Sequence, residues 1–318
     1  MSISSTTAKL GERRARVSTR DGVALAIRES GPQHAAVTVV FLHGHCLSTE
    51  SWTFVTEALA AQYPAAKIVS YDHRGHGESQ EAAAATYTIT QLGHDLHDVL
   101  AAVAPTGPVV LVGHSMGGMT AITYAGLYAH EIGTRIVGIA LIATAANGLA
   151  EAGYGRLLQN PIVSWFQAAV RKSPAAMRRA KLAACKVFAP VVRSAEFGNR
   201  KVSPRVLALA NAMHNATSIV TMATFLSSFM TYDETATMPS LSAIPTLVLC
   251  GTADLMTPPS HSVAMAAQVE YSDLVMVDGA GHSVILEQPA QVADALVRML
   301  TRASGPDCAG AARLALVA

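Results

Sequence analysis

The segment PVVLVGHSMGGMTAITYAGLYAH, residues 108–130, constrains this chain more than any other. Its first part is a continuous apolar, β-branched run of the kind that fills a central parallel strand, and its last part suits a helix. Between them, GHSMG at 113–117 and the following Gly118 leave room only for an abrupt change of direction. A serine at so sharp a strand-to-helix turn occupies strained backbone, and a Cβ at Gly113 or Gly117 would crowd the adjoining main chain. The plain alternative for Ser115 is an ordinary helix cap. Its position directly after a buried-type strand favours the exposed serine of a G-x-S-x-G turn.

The same rhythm extends along the chain. Strands are expected near 22–29, 36–42, 67–71, 108–112, 136–143, 246–250 and 273–277, and helices near 52–62, 89–104, 116–130, 259–268 and 288–301. This alternation is that of an α/β fold with a mostly parallel central sheet and helices on both faces. The runs VTVVFLH and PVVLVG both lead into loops rich in Gly and His, at the sheet edge where ligands bind.

The rhythm stops near residue 146 and resumes at PTLVLCG, 245–251. The intervening stretch has helical spacing interrupted at Pro161, Pro174, Pro190 and Pro204, and is expected to be an inserted helical lid over 147–240. The α/β core then comprises 1–146 and 241–303, with an Ala-rich tail at 304–318. Residues 148–232 carry eleven Lys or Arg against Glu151 and Glu196, a net +9, while the rest of the chain is −8. The total of +1 therefore gives no global case for nucleic acid but hides a polarised molecule. A solvated lid face accounts for this; attraction of an anionic ligand or lipid surface is the alternative.

A chain of 318 residues that is 51% hydrophobic and 14% charged is not disordered and needs no covalent staple. Cys46, Cys185, Cys250 and Cys308 lack paired spacing, so neither a disulfide framework nor a zinc knuckle is expected. The first twenty residues have no apolar core of a secretory signal, and runs such as 137–146 are too short to span a bilayer. A soluble cytoplasmic protein without a transmembrane segment is the expectation.

A serine hydroxyl needs a base, and the base needs a carboxylate to hold its tautomer. Asp254 follows one strand end in GTADLMTPP and His282 follows another in DGAGHS. The plain alternatives are a helix cap for Asp254 and a structural hydrogen bond for His282. Asp278 is the rival acid, but four residues before His282 it fits the turn itself. FLHGHC at 41–46 ends another central strand, where the backbone amides of His45 and Met116 could form an oxyanion hole. His43 is expected to brace this loop; Cys46 is a pocket residue without the base and orienter that a nucleophile needs. HGH is weak evidence for a metal, because its backbone has another use. His34, His94, His97, His130, His214 and His261 fit surface or helix-packing roles. In the lid, Met222, Phe225, Leu226, Phe229 and Met230 share an apolar face that packs lid on body or also lines an acyl pocket.

The motifs HGH (43–45), YDHRGHGES (71–79), GHSMGG (113–118), GTADLMTPP (251–259) and GAGHS (279–283) together resemble the α/β-hydrolase superfamily over roughly residues 20–302. The resemblance implies Ser115 as nucleophile, Asp254 as acid, His282 as base and the His45 and Met116 amides as oxyanion donors, with Asp72 and Arg74 bracing a turn. GHSMGG and YDHRGHGES look most like serine esterases and monoacylglycerol-type lipases. The expectation is therefore cleavage of a small ester with an apolar moiety through an acyl-enzyme, without metal or organic cofactor. Thioesterases, lactonases, C-C bond hydrolases or lyases and cofactor-free haloperoxidases share these signatures, and a ligand-sensing protein could retain the fold. Haloalkane dehalogenases and epoxide hydrolases usually carry Asp at the elbow, so Ser115 argues against both.

Overall fold

A computed structural model describes residues 11–198 and 202–303. The tail at 304–318, with Cys308, and the basic residues Arg200 and Lys201 lie outside the described residues.

Eight strands form one sheet: β1 Arg13–Ser18, β2 Ala24–Ser30, β3 Thr38–Leu42, β4 Lys67–Tyr71, β5 Val109–His114, β6 Ile136–Ile142, β7 Thr246–Gly251 and β8 Asp273–Val277. Their spatial order is β1-β2-β4-β3-β5-β6-β7-β8; β2 is antiparallel to both neighbours and the remaining pairs are parallel. Every residue of β3 and β5 is buried, as their unbroken apolar runs require. With a side-chain period of two, Val39 and Phe41 enter the core on one face and Val40 and Leu42 the core on the other. Helices α1 (Thr53–Gln62) and α10 (Pro289–Ala303) pack together on the first face. The second is covered by α2 (Ile89–Val103), α3 (Met116–Leu127) and α8 (Pro259–Ala266); α9 (Val284–Glu287) leads into α10.

Strand β1 departs from the expected pattern. RRARVS has no apolar alternation because it is an exposed edge strand paired only with β2. Its charges, such as Arg13 against Glu29 at 3.5 Å, suit an edge that must not recruit another strand.

Between β6 and β7 the chain forms a helical cap: α4 Pro161–Lys172, α5 Pro174–Glu196, α6 Pro204–Ala216 and α7 Ile219–Met230. Pro161, Pro174 and Pro204 each open a helix, where the missing amide costs nothing, while α5 runs through Pro190 instead of breaking there. Side-chain oxygens of Asn160, Ser203 and Ser218 cap α4, α6 and α7. Part of the cap's basic excess has structural work. Arg171 and Lys172 lie in the last turn of α4, Lys181 donates to the carbonyls of His214, Asn215 and Thr217 at the end of α6, and Arg178 meets Glu81 of the body.

The chain reverses direction across the sheet between β3 and β5, the two central parallel neighbours. Loops leaving their carboxyl ends therefore diverge over a crevice, and both motif-bearing loops, HGHC and GHSMGG, start there.

Candidate active site

Strand β5 delivers Ser115 into the turn at φ 53 and ψ −120, left-handed backbone that a non-glycine residue adopts only at a cost. Its amide donates to Ile142 O at 2.9 Å, and its carbonyl accepts from the Gly118 and Met119 amides and from Thr144 Oγ1. These bonds hold the strained residue. The turn closes because β3 and α3 nearly touch: a Cβ on Gly117 would lie 2.1 Å from Leu42 O, and one on Gly113 2.4 Å from Gly117 O. Although Ser115 stands at the N-cap position of α3, its side chain caps nothing. Its Oγ instead meets His282 Nε2 at 3.0 Å.

The His282 Nδ1 lies 2.9 Å from Asp254 Oδ2, so the carboxylate fixes the proton on Nδ1 and leaves the Nε2 lone pair facing the serine. Thr257 Oγ1 donates to the same Oδ2 at 2.8 Å. Oδ1 accepts from the amides of Met256 and Thr257 at 2.8 and 2.9 Å. Asp254 thus braces its own turn with one oxygen and orients the histidine with the other. Burial raises the Asp254 pKa, but the His282 partner and the Thr257 hydrogen bonds outweigh it and the net shift is downward. Burial lowers His282; the charge and hydrogen bond of Asp254, followed by the charges of Glu196 and Glu287, more than reverse this, so His282 titrates above the usual imidazole value. Asp278 accepts from Thr252 Oγ1 at 3.3 Å in an exposed turn and does not meet His282.

The HGHC turn after β3 is fastened by neutral histidines. His43 Nδ1 donates to Gly44 O at 2.7 Å and its Nε2 accepts from the His73 amide at 3.0 Å. His76 Nδ1 donates to Arg74 O while its Nε2 accepts from the Cys46 amide at 3.2 Å. Burial above all holds His43 down at about 4 and His76 at about 3, so neither carries charge at neutral pH. Cys46 sits at φ 61 with its amide already engaged. The amides of His45 and Met116 find no acceptor among the described residues, and they flank the serine turn from β3 and α3. Below the turn, buried Arg74 bonds Asp95 at 2.6 Å and Asp21 at 2.9 Å, and Asp72 accepts from the amides of Thr49 and Glu78.

Two cavities reach Ser115 and His282 beneath the cap. One, of about 150 Å³, is walled by Met119, Leu149, Tyr154, Leu158, Leu226 and Phe229. The other, of about 210 Å³, is walled by Gly44, His45, Cys46, Ala195, Glu196 and His214. His45 lines both, edge-on to Phe229 at 5.2 Å, and so do Met256 and the pair Ser115 and His282. Cys46 and Phe229 therefore line a cavity. Burial pushes the Cys46 thiol far up, which keeps it protonated. Phe225, Met222 and Met230 line neither of these cavities. Phe225 is fully buried behind them against Tyr87 and His76, Met222 packs within the cap near Val170 and Ile219, and Met230 is 41% exposed at the end of α7. The stripe from Met222 to Met230 covers an arc of about 140° and about 12 Å along the axis of α7, wide and long enough for its members to meet different neighbours.

The pattern of the Alpha/beta hydrolase family matches residues 39–295, which include the serine turn, Asp254 and His282. The chain belongs to this family. Among curated relatives of this hydrolase, Proline iminopeptidase PfmaB of Pestalotiopsis fici is 27% identical over 84% of the chain and 92% of its own length. The sn-1-specific diacylglycerol lipase ABHD11 of Mus musculus is 26% identical over 82% of the chain and 80% of that protein. A match of 32% identity to a Bacillus subtilis protein spans only 42% of that protein. Among solved structures, a thermophilic esterase from Thermogutta terrifontis superposes with a TM-score of 0.72 at 25% identity, over 92% of this chain and 99% of that one. Fold and relationship make the protein a hydrolytic enzyme. No described helix is long and apolar enough to cross a membrane.

Several site residues of the hydrolase escape sequence reasoning. His214, which reads as a packing histidine, lines a cavity with Glu196, and Tyr154, Leu158, Met256 and Thr257 line the space around Ser115. Thr257 alone had a local signal, three residues after Asp254 in a proline-ended turn.

Proposed function

We propose that the protein is a serine hydrolase that cleaves a small carboxylic ester with an apolar moiety through an acyl-enzyme. The observation that carries this reading is the unbroken chain from Ser115 Oγ through His282 to Asp254, with contacts of 3.0 and 2.9 Å, on an elbow held in strained backbone. Ser115 Oγ attacks the ester carbonyl while its proton passes to His282 Nε2, and Asp254 stabilises the imidazolium. The oxygen that gains charge is received by the free amides of His45 and Met116; one such donor is worth about 10²–10³ in rate. His282 then protonates the departing alkoxide, leaving the acyl group on Ser115. Water attacks this second ester as His282 takes its proton, and Ser115 regains a hydrogen when the acid leaves.

Met119, Leu149, Leu158, Leu226 and Phe229 suit one apolar half of the ester. The esterase and lipase activities of the similar proteins agree with this chemistry. The direct test is a fluorophosphonate probe combined with peptide mapping. Stoichiometric labelling of Ser115, with parallel loss of 4-nitrophenyl butanoate hydrolysis, is expected. Full hydrolysis by fully labelled protein would overturn the assignment.

A further inference from the structure

The cavity that contains Cys46 carries an ion pair with one unused acceptor. Glu196, the last residue of α5, and His214 of α6 both line it. His214 Nδ1 faces Ala210 O at 2.7 Å and its Nε2 faces Glu196 Oε1 at 2.7 Å. A carbonyl and a carboxylate both need donors, so His214 holds two protons and is the imidazolium partner of an ionised Glu196. Glu196 is buried, its side chain 11% exposed, and its second oxygen, Oε2, has no hydrogen-bond partner among the described residues. The imidazole of His45, which borders the same cavity and meets the Met222 backbone, likewise leaves Nδ1 unpartnered among the described residues. A buried carboxylate oxygen without a donor is costly, and sites that leave one open gain strongly from a ligand that supplies the donor.

The charge of the pair selects the kind of donor. Since the imidazolium already neutralises the carboxylate, a cationic ammonium would meet a positive neighbour, and a second carboxylate would meet Glu196. A neutral hydroxyl satisfies Oε2 without adding charge. We propose that Glu196 is a specificity-determining acceptor for an alcoholic hydroxyl, so the substrate class is a hydroxy-ester whose hydroxyl-bearing arm occupies the Cys46 cavity while the apolar arm lies toward Phe229. This inference rests on the reading of Ser115 as the nucleophile, since it assigns the two arms to either side of the attacked carbonyl.

Two matched pairs test it on either side of the ester bond: 4-nitrophenyl hexanoate against 6-hydroxyhexanoate, and propyl butanoate against 3-hydroxypropyl butanoate. An apolar cavity alone penalises the hydroxyl, so preference for the hydroxylated member has the opposite sign from simple hydrophobic binding. The parent enzyme is expected to favour the hydroxy-ester by about ten- to hundred-fold in kcat/KM in one pair, the range of a hydrogen bond to a charged group. Glu196→Leu should bring that ratio to about one or below, and Glu196→Gln, which keeps one oxygen acceptor, should fall between. A parent that prefers the plain ester in both pairs overturns the proposal without any variant. So does a folded Glu196→Leu protein with the parental ratio, which would make the pair a strut between α5 and α6.

Calorimetric affinities of Ser115→Ala for the same four esters separate the two readings. Tighter binding of the hydroxylated member, lost on adding Glu196→Leu, upholds the acceptor even if Ser115→Ala still turns over ester. Equal affinities overturn it even where Ser115 proves to be the nucleophile.

Discussion

Replacing Asp254 with Asn should abolish most catalysis by forcing the wrong proton onto His282. Asp254 Oδ1 accepts two backbone amides, from Met256 and Thr257, so the oxygen of an introduced carboxamide stays there. The amide nitrogen then occupies the place of Oδ2, where it faces the Thr257 hydroxyl and His282 Nδ1. A donor opposite Nδ1 drives the imidazole proton to Nε2, which points at Ser115 Oγ and can no longer accept its hydrogen. The equivalent change in a serine-protease triad lowers kcat by about 10⁴, and a loss of about 10³–10⁴ is expected here. His282 also loses the largest influence that holds its pKa up, so its titration moves down, with the charges of Glu196 and Glu287 still opposing burial. The assay is kcat for 4-nitrophenyl butanoate from pH 5 to 10, with far-ultraviolet circular dichroism and thermal unfolding to certify the fold. Asp278→Asn, at an exposed turn contact of 3.3 Å, should keep kcat within about two-fold. Retention of more than a tenth of kcat by a folded Asp254→Asn protein, or a loss confined to Asp278→Asn, would refute the argument.

Ser115→Ala should lower ester kcat by at least about 10⁴ while leaving unfolding cooperative, because the side chain supplies a nucleophile and little core volume; near-parental kcat is the contrary result. In the proposed acyl transfer His282 works as a neutral base, and its pKa is raised, so kcat/KM should be full at alkaline pH and fall as pH drops through a value above 6.5. An acid limb well below 6.5 would show that burial wins over Asp254. Leu226→Ala and Phe229→Leu should shift the preferred length of the apolar ester arm, whereas Met230→Ser, at a 41% exposed position, should leave the chain-length profile unchanged. An unchanged profile in both cavity variants would make that face of α7 simple packing.

What could be read from the residues follows from how narrowly each position is constrained. The serine turn demands glycine at 113 and 117 because backbone atoms stand 2.4 and 2.1 Å from where a Cβ would lie, so its geometry leaves a fingerprint in residue type. Asp254 and His282 are legible for a related reason: each follows a strand end, and a parallel sheet brings those ends to one edge. Strand β1 is illegible by hydropathy because an exposed edge needs charge more than apolar alternation. The helix expected to continue to residue 130 stops at Leu127, since Tyr128 leaves helical backbone and its amide closes the last turn on Tyr124 O.

The cavity walls obey a looser rule, and this divides the molecule chemically. Any large apolar side chain fills the space held by Leu149, Leu158 or Phe229, so the cap leaves no residue fingerprint of the kind the elbow imposes. Glu196 and His214 are the exception: an ion pair buried beneath a cap carries a desolvation cost that apolar residues of similar volume would avoid. Lys181 donates to the carbonyls at the end of α6, and Oε2 finds no hydrogen-bond partner among the described residues. The pair is therefore best understood through what an apolar replacement could not do, which is to present a fixed, charge-balanced acceptor beside the attacked carbonyl. On the proposed reading, the body holds the reacting atoms through backbone constraint, while side chains that pack from α5, α6 and α7 of the cap would distinguish substrates.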